Sequence, residues 1–337
     1  MSPSDKVQSI LDLGIIWDAH SGFMPDPAAD LRNLQIWRDA NINYLSIDVG
    51  FDLLPWQQTV RTLAHFRHWI LAHPSDYALV SSADEILAAK ASGKLAVTFD
   101  IEGMNALDGR IEMVEFYHRL GVRQMLFAYN RNNLTGGGCH DDDPGLTSFG
   151  RQVIDEMNRL GMFVDVSHTG ARTSMEVMEY SDRPVIFSHS NPKALCGHGR
   201  NITDDQIRAC ARTGGVIGIV GLNRFLGDGR TDSERLADHI EYLVDLAGPR
   251  HVGIGLDYAF PVEMGGLDTL FADNRQFWPQ TEYPDGATTY SRPSQMRELV
   301  EVLLHRGHSD RIVRDVMGGN FMRLAREIWK QPSTPAY

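Results

Sequence analysis

Cysteine is scarce in this chain. Its three residues, Cys139, Cys196 and Cys210, are odd in number and have no metal-binding spacing. That excludes a disulfide framework and a cysteine-built metal cluster. No apolar run reaches the roughly 18 residues that would cross a bilayer, and the opening MSPSDKVQSILDLG is too polar for a signal peptide. Positive charge is also short: 32 Lys and Arg stand against 44 Asp and Glu, a net charge of −12. Nucleic acid and anionic membrane are therefore poor partners. No G-x-G-x-x-G opens a helix after a strand. The glycine-rich LTGGGCHDDDPG at 134–145 lacks the G-K-[ST] ending of a phosphate loop, so nucleotide binding is rejected. No linker rich in Pro, Gly or Ser divides the 337 residues. The expectation is one domain over 1–337, cytoplasmic, and either an enzyme or a binding protein.

What is present is a regular alternation. Short apolar, β-branched runs recur at 14–20, 44–49, 95–101, 124–129, 163–168, 184–189, 215–222 and 251–257. Continuous rather than alternating hydrophobicity suits parallel strands buried on both faces. Helical patterns lie between them, such as 110–120 with Gly121 as a stop. Thr203 with Gln206, and Ser82 with Glu85, have capping-box spacing. Eight strands alternating with helices predict an α/β (β/α)8 TIM-like barrel with a C-terminal helical extension over 294–329. The alternative is an open doubly wound sheet. Residues 265–292, with several prolines and little periodicity, read as a long loop after the eighth strand.

The chemistry falls at the strand ends. The first ends at His20, the third runs into Glu102 and the fourth into Tyr129. The fifth, sixth and eighth end at His168, His189 and Asp257. In a barrel these C-terminal ends meet at one mouth, where active sites of this fold sit. A lone strand-end histidine is more often a hydrogen-bonded rim residue. The coincidence of three histidines and two carboxylates is what points to a metal site, since imidazole and carboxylate are ligands that zinc favours. In WDAHSGF at 17–23, strand periodicity would aim Asp18, His20 and Gly22 to one face. His140 or Asp141 is a further candidate ligand. Arg200, just after the sixth strand, could hold a carboxylate in bidentate fashion.

These residues resemble the membrane (renal) dipeptidase family, metallopeptidases of the amidohydrolase-like superfamily. The likeness rests on DAH at 18–20, IEG at 101–103, GLTSFGRQVIDEMNRLGMFVDVSH at 145–168 and PVIFSHSN at 184–191. RN at 200–201, GIGLDY at 253–258 and GGNFMRL at 318–324 extend it along nearly the whole chain. The resemblance implies a binuclear zinc site, with His20 on one metal, Glu102 bridging, and His168 and His189 on the other. It implies a metal-activated hydroxide attacking a peptide carbonyl, with Asp257 taking its proton and passing it to the leaving amine. It also implies Arg200 on the substrate's terminal carboxylate, dipeptide or dipeptide-like substrates, and in many members a homodimer.

Two departures stand out. The family's H-x-D motif is here His20-Ser21-Gly22, without the aspartate that shares the first metal. The family histidine that contacts the substrate carbonyl is here Tyr129, a phenol that donates a hydrogen bond but carries no positive charge. The expectation is one tightly bound zinc on Glu102, His168 and His189. The second should be weak or absent unless Asp18, His140 or a nearby loop carboxylate substitutes. Two other readings stay open: a mononuclear hydrolase of another C–N or lactone bond, and a barrel that binds a ligand without catalysis.

Overall fold

The structure, a computed structural model, describes residues 3–21, 25–259 and 265–329. Among the described residues nine strands run in chain order: β1 Trp17–Ser21, β2 Tyr44–Phe51, β3 Tyr77–Leu79, β4 Leu95–Glu102, β5 Val122–Leu126, β6 Phe163–Asp165, β7 Val185–Ile186, β8 Ile217–Ile219 and β9 Val252–Ile254. Every strand pairing is parallel. The path β1-β2-β4-β5-β6-β7 curls into most of a barrel. A single parallel bridge, Phe187 to Ile217, carries it to β8 and β9. Closure onto β1 comes from the backbone N–H of Asp257, which donates to the carbonyl of His20 at 3.0 Å. The predicted α/β TIM-like barrel is what folds.

Each of the eight predicted runs overlaps a strand, and the ninth, β3, was not foreseen. It is only three residues long and pairs beside the start of β4, outside the barrel path. The helices 112–119 and 204–212 lie where expected, and Thr203 with Gln206 forms the full capping box. Ser82 caps Glu85 N–H, but the Glu85 carboxylate takes the N–H of Ser81 rather than of Ser82. The stretch 265–292 is not all loop. It opens with a helix, Gly265–Asp273, whose Leu270 and Phe271 follow Leu267 at helical spacing. The paired glycines and later prolines masked that signal.

The C-terminal extension is helical in pieces: Met296–His305, Asp310–Arg314, a π turn at Asp315–Gly319, and Asn320–Ile328. Phe321, Leu324, Ile328 and Trp329 pack with Trp17, Tyr44 and Phe163 at the N-terminal end of the strands. Trp17 stacks on Tyr44 with ring centroids 3.6 Å apart. This apolar plug fills the barrel floor and leaves the opposite mouth for polar groups. No helix among the described residues is long and apolar enough to cross a membrane.

Candidate metal centre

The parallel register decides what faces the interior. Tyr44, Ser46 and Asp48 of β2 lie beside Ala96, Thr98 and Asp100 of β4. Alternation then puts all six on one face. In β1 the alternation fails. Asp18 pairs with Leu45 but Ser21 pairs with Ile47, so an extra residue is inserted between them. A bulge of this kind re-aims side chains. Asp18 turns to the helix layer, where its carboxylate accepts from the Trp37 indole N–H and from Leu256 N–H, both at 2.8 Å. His20 turns into the mouth. The expectation that Asp18 and His20 share a face is therefore overturned, and so is Asp18 as a substitute ligand. Gly22 lies outside the described residues.

His20, Glu102, His168 and His189 converge, all buried. Glu102 Oε1 lies 3.3 Å from His189 Nε2, 3.5 Å from His168 Nε2 and 3.6 Å from His20 Nε2. His168 Nε2 and His189 Nε2 are 3.0 Å apart. Asp257 Oδ1 is 3.5 Å from His20 Nε2. The His20 and His189 rings stack at 4.1 Å. Two of these side chains are aimed by unusual backbone: His168 and Asp257 sit at φ 57° and 54°, in the left-handed region that non-glycine residues seldom occupy.

Each histidine is oriented from behind. His20 Nδ1 lies 3.0 Å from Asp100 Oδ1. His168 Nδ1 lies 2.7 Å from Asn130 Oδ1, whose amide nitrogen is fixed by donating to the Phe277 carbonyl at 3.0 Å. His189 Nδ1 lies 2.7 Å from Ser188 Oγ, whose own proton goes to Asp165 in a short hydrogen bond. Asp165 also accepts from Ser167 and Ser188 N–H groups, which ties VDVSH to FSHS. In all three cases the partner is an acceptor, so in the neutral ring the proton belongs on Nδ1 and Nε2 is left as a bare lone pair. The close approach of His168 Nε2 to His189 Nε2 then has no hydrogen to share. His20 Nε2 and Glu102 Oε1 are buried without a hydrogen-bond partner. Three imidazole Nε2 atoms gathered around one Glu102 oxygen fit a cation. Ligands about 2.0 Å from a tetrahedral zinc stand roughly 3.3 Å apart, which matches the His168–His189–Glu102 triangle.

Electrostatics agree for two of the three histidines. Burial pushes the His168 and His189 imidazoles well below their ordinary values, keeping them neutral. Burial opposes charge on His20 as well, but Asp100 and Glu102 hold its imidazole well above the ordinary value, so its Nε2 is bare only when a cation displaces the proton. Burial also drives the Glu102 carboxyl up to about 8, against the pull of His20, with Asp257 and Asp100 adding to the rise. A deprotonated Glu102 therefore needs positive charge beside it.

Tyr129 stacks on His168 with centroids 4.2 Å apart, and it lines the cavity above Glu102 with His168, Asp48 and Asp257. The walls of that cavity are aromatic. Trp278, Phe271, Tyr283 and Tyr290 all come from the 265–292 segment. Arg200 is not among the residues lining this cavity. Buried, it donates to Ser190 Oγ at 2.9 Å and to the His189 carbonyl at 2.6 Å, and its Nε has no partner. It lines an adjoining cleft that shares His168 and includes Lys193. The added candidates fall away: His140 Nε2 lies 3.3 Å from the Tyr283 hydroxyl, and Asp141 pairs with Arg131 at 3.1 Å.

The sequence reading missed Asp48, Asp52, Asp100, Asn130 and Asp165. Their signal was available for four of them: an aspartate inside or at the end of an otherwise apolar strand must be paired or functional. Asn130→Ala removes the acceptor that fixes the His168 tautomer. It is expected to weaken zinc binding by about 10–100-fold, as loss of outer-shell partners does. Competition against a chromophoric chelator measures this.

A parallel barrel with a histidine–carboxylate cluster at its mouth defines a metallohydrolase-type scaffold. Residues 39–271 match the membrane dipeptidase family, peptidase family M19, and the chain belongs to that family. It is 29% identical over 304 residues to an uncharacterized dipeptidase of Schizosaccharomyces pombe, covering 86% of this chain and 66% of that protein. It is 31% identical over 242 residues to the dipeptidase aclJ of Aspergillus oryzae, covering 70% of this chain and 52% of that one. The chain thus spans between half and two thirds of the length of these relatives. Among solved structures, an amidohydrolase from Pseudomonas aeruginosa superposes with a TM-score of 0.88 at 28% identity, over 98% of this chain and all of that one.

Proposed function

We propose that this protein is a zinc-dependent hydrolase that cleaves the amide bond of a dipeptide or dipeptide-like molecule. The observation that carries it is the set of three imidazole Nε2 atoms around one Glu102 oxygen, each aimed by an acceptor behind its ring. Glu102, His168 and His189 would hold the zinc, with His20 Nε2 3.6 Å from the same Glu102 oxygen. Bound there, zinc lowers the pKa of a water toward about 7 and polarises a carbonyl.

The chain's own residues supply the rest. Asp257, 17% exposed at the cavity and close to His20, is the base that accepts a proton and returns it to the leaving amine. Tyr129 stays protonated, because burial raises its phenol well above the ordinary value and the nearby Glu102 charge adds to this. It therefore donates a hydrogen bond to a developing oxyanion. Arg200, with Lys193, offers positive charge to a substrate carboxylate from the adjoining cleft. The aromatic walls exclude water and favour apolar side chains on the substrate.

The test uses purified protein, metal analysis and a dipeptide panel with and without chelator. Zinc-dependent hydrolysis is expected. Asp257→Asn should keep its zinc while kcat falls about 10²–10⁴-fold. Hydrolysis that survives full demetallation rejects the reading. Bound zinc with no amide cleaved turns the search to other C–N bonds, lactones or plain ligand binding.

A further inference from the structure

The His20 half of the centre lacks the carboxylate that an H-x-D motif would bring, because residue 22 is glycine. Yet His20 Nε2 and Glu102 Oε1 remain buried and unpartnered, aimed at the same space. Some other group should complete that half. The neighbouring carboxylates can be taken in turn. Both oxygens of Asp18 are used, by Trp37 and Leu256. Asp100 gives one oxygen to His20 Nδ1 and the other to Ser46. Asp257 stands on the open side, as the proposed base.

Asp48 is left. It is 2% exposed and lines the cavity with Glu102, His168 and Asp257. The parallel register explains why it is there. Ser21, the last described residue of β1, lies beside Ile47, so Asp48 is the next residue of the adjoining strand. It shares an interior face with Ser46, which bonds Asp100 behind His20. One of its oxygens, Oδ1, accepts the Gly50 N–H at 2.9 Å and so is held by its own turn. The other has no hydrogen-bond partner among the described residues. A buried carboxylate oxygen left without a partner is what a cation in that space would satisfy.

We infer that Asp48 supplies from β2 the metal-binding carboxylate that Gly22 cannot supply from β1, so that His20, Glu102 and Asp48 hold a second divalent cation. The inference rests on the metal-centre reading above, and its test separates the two. Protein freed of metal with a chelator is titrated with zinc chloride, and bound zinc per chain is counted by elemental analysis after desalting. Wild type is expected to retain two. Asp48→Asn, which keeps the size of the side chain and an acceptor for Gly50, should retain one and bind the other at least about 10-fold more weakly, a direct ligand mattering no less than an outer-shell partner. His168→Ala should lose the other ion and keep the one at Asp48. Circular dichroism melts establish that each variant is folded. One zinc in wild type overturns the inference, a result that does not depend on any variant folding. Two zincs retained in Asp48→Asn overturn it as well. No zinc on any of these proteins overturns the metal-centre reading itself.

Discussion

Glu102→Gln is expected to leave a folded chain that binds zinc more than about 100-fold more weakly, since even partners behind a ligand are worth 10–100-fold. Dipeptide hydrolysis should fall with it. Among the described residues, Glu102 is the one carboxyl group within 3.6 Å of all three imidazole Nε2 atoms. The amide keeps the shape and an oxygen but removes the charge that opposes a dication. The fold should not suffer. Burial raises the Glu102 carboxyl from its ordinary 4.5 to about 8, so the metal-free chain binds this proton more tightly folded than unfolded. By linkage, ionising it subtracts stability as pH climbs from about 4.5 to about 8, and the neutral amide escapes that loss. In chelator at pH 7 the variant should melt at or above the wild-type temperature. With zinc added, wild type should gain stability in proportion to the logarithm of free zinc over Kd, and the variant should gain little. A variant that keeps wild-type zinc affinity would remove Glu102 from the centre.

Most of this barrel was legible in the chain because its strands are short, apolar and regularly spaced, and each buried strand must end where the chain turns out to the helices. That is why His20, Glu102, His168, His189 and Asp257 stand out together in the sequence as strand-end residues. What could not be read was direction. Period-two alternation placed Asp18 beside His20, and the bulge after Asp18 sends it to Trp37 instead. The left-handed backbone at His168 and Asp257 is likewise set by tertiary packing. The orienting acceptors behind the histidines were harder still. Asp100 is 80 residues from His20 and Asn130 is 38 from His168, so they meet only when neighbouring strands pair. For Arg200 the sequence showed a guanidinium able to hold a carboxylate but not its surroundings. The fold buries it against Ser190 and the carbonyl of His189, contacts 10 and 11 residues away that its loop position did not reveal.

Gly103→Ala is expected to cost the fold about 2–6 kcal/mol, the combined scale of a strained backbone and an overpacked site, and to loosen Glu102 beside it. Gly103 sits at φ 110°, where an L side chain is strained, and a Cβ there would come within 2.1 Å of Asp52 Cγ. Asp52 cannot step aside cheaply. Its carboxylate accepts Asn105 N–H at 2.9 Å, Tyr129 N–H at 3.0 Å and the Asn133 amide at 2.8 Å. Those bonds join the ends of β2, β4 and β5, so the same contact that demands glycine also sets Tyr129 against His168. A double-mutant cycle separates the two costs. Asp52→Ala alone should destabilise by leaving those donors unpaired. In that background Gly103→Ala should cost only the backbone strain, about 1–3 kcal/mol, and the two changes together should fall well short of their sum. Denaturant melts in chelator read the stability, and zinc competition reads the centre. Additive losses would mean that Asp52 and Gly103 do not meet, and that the glycine of IEG is required by its backbone angle alone.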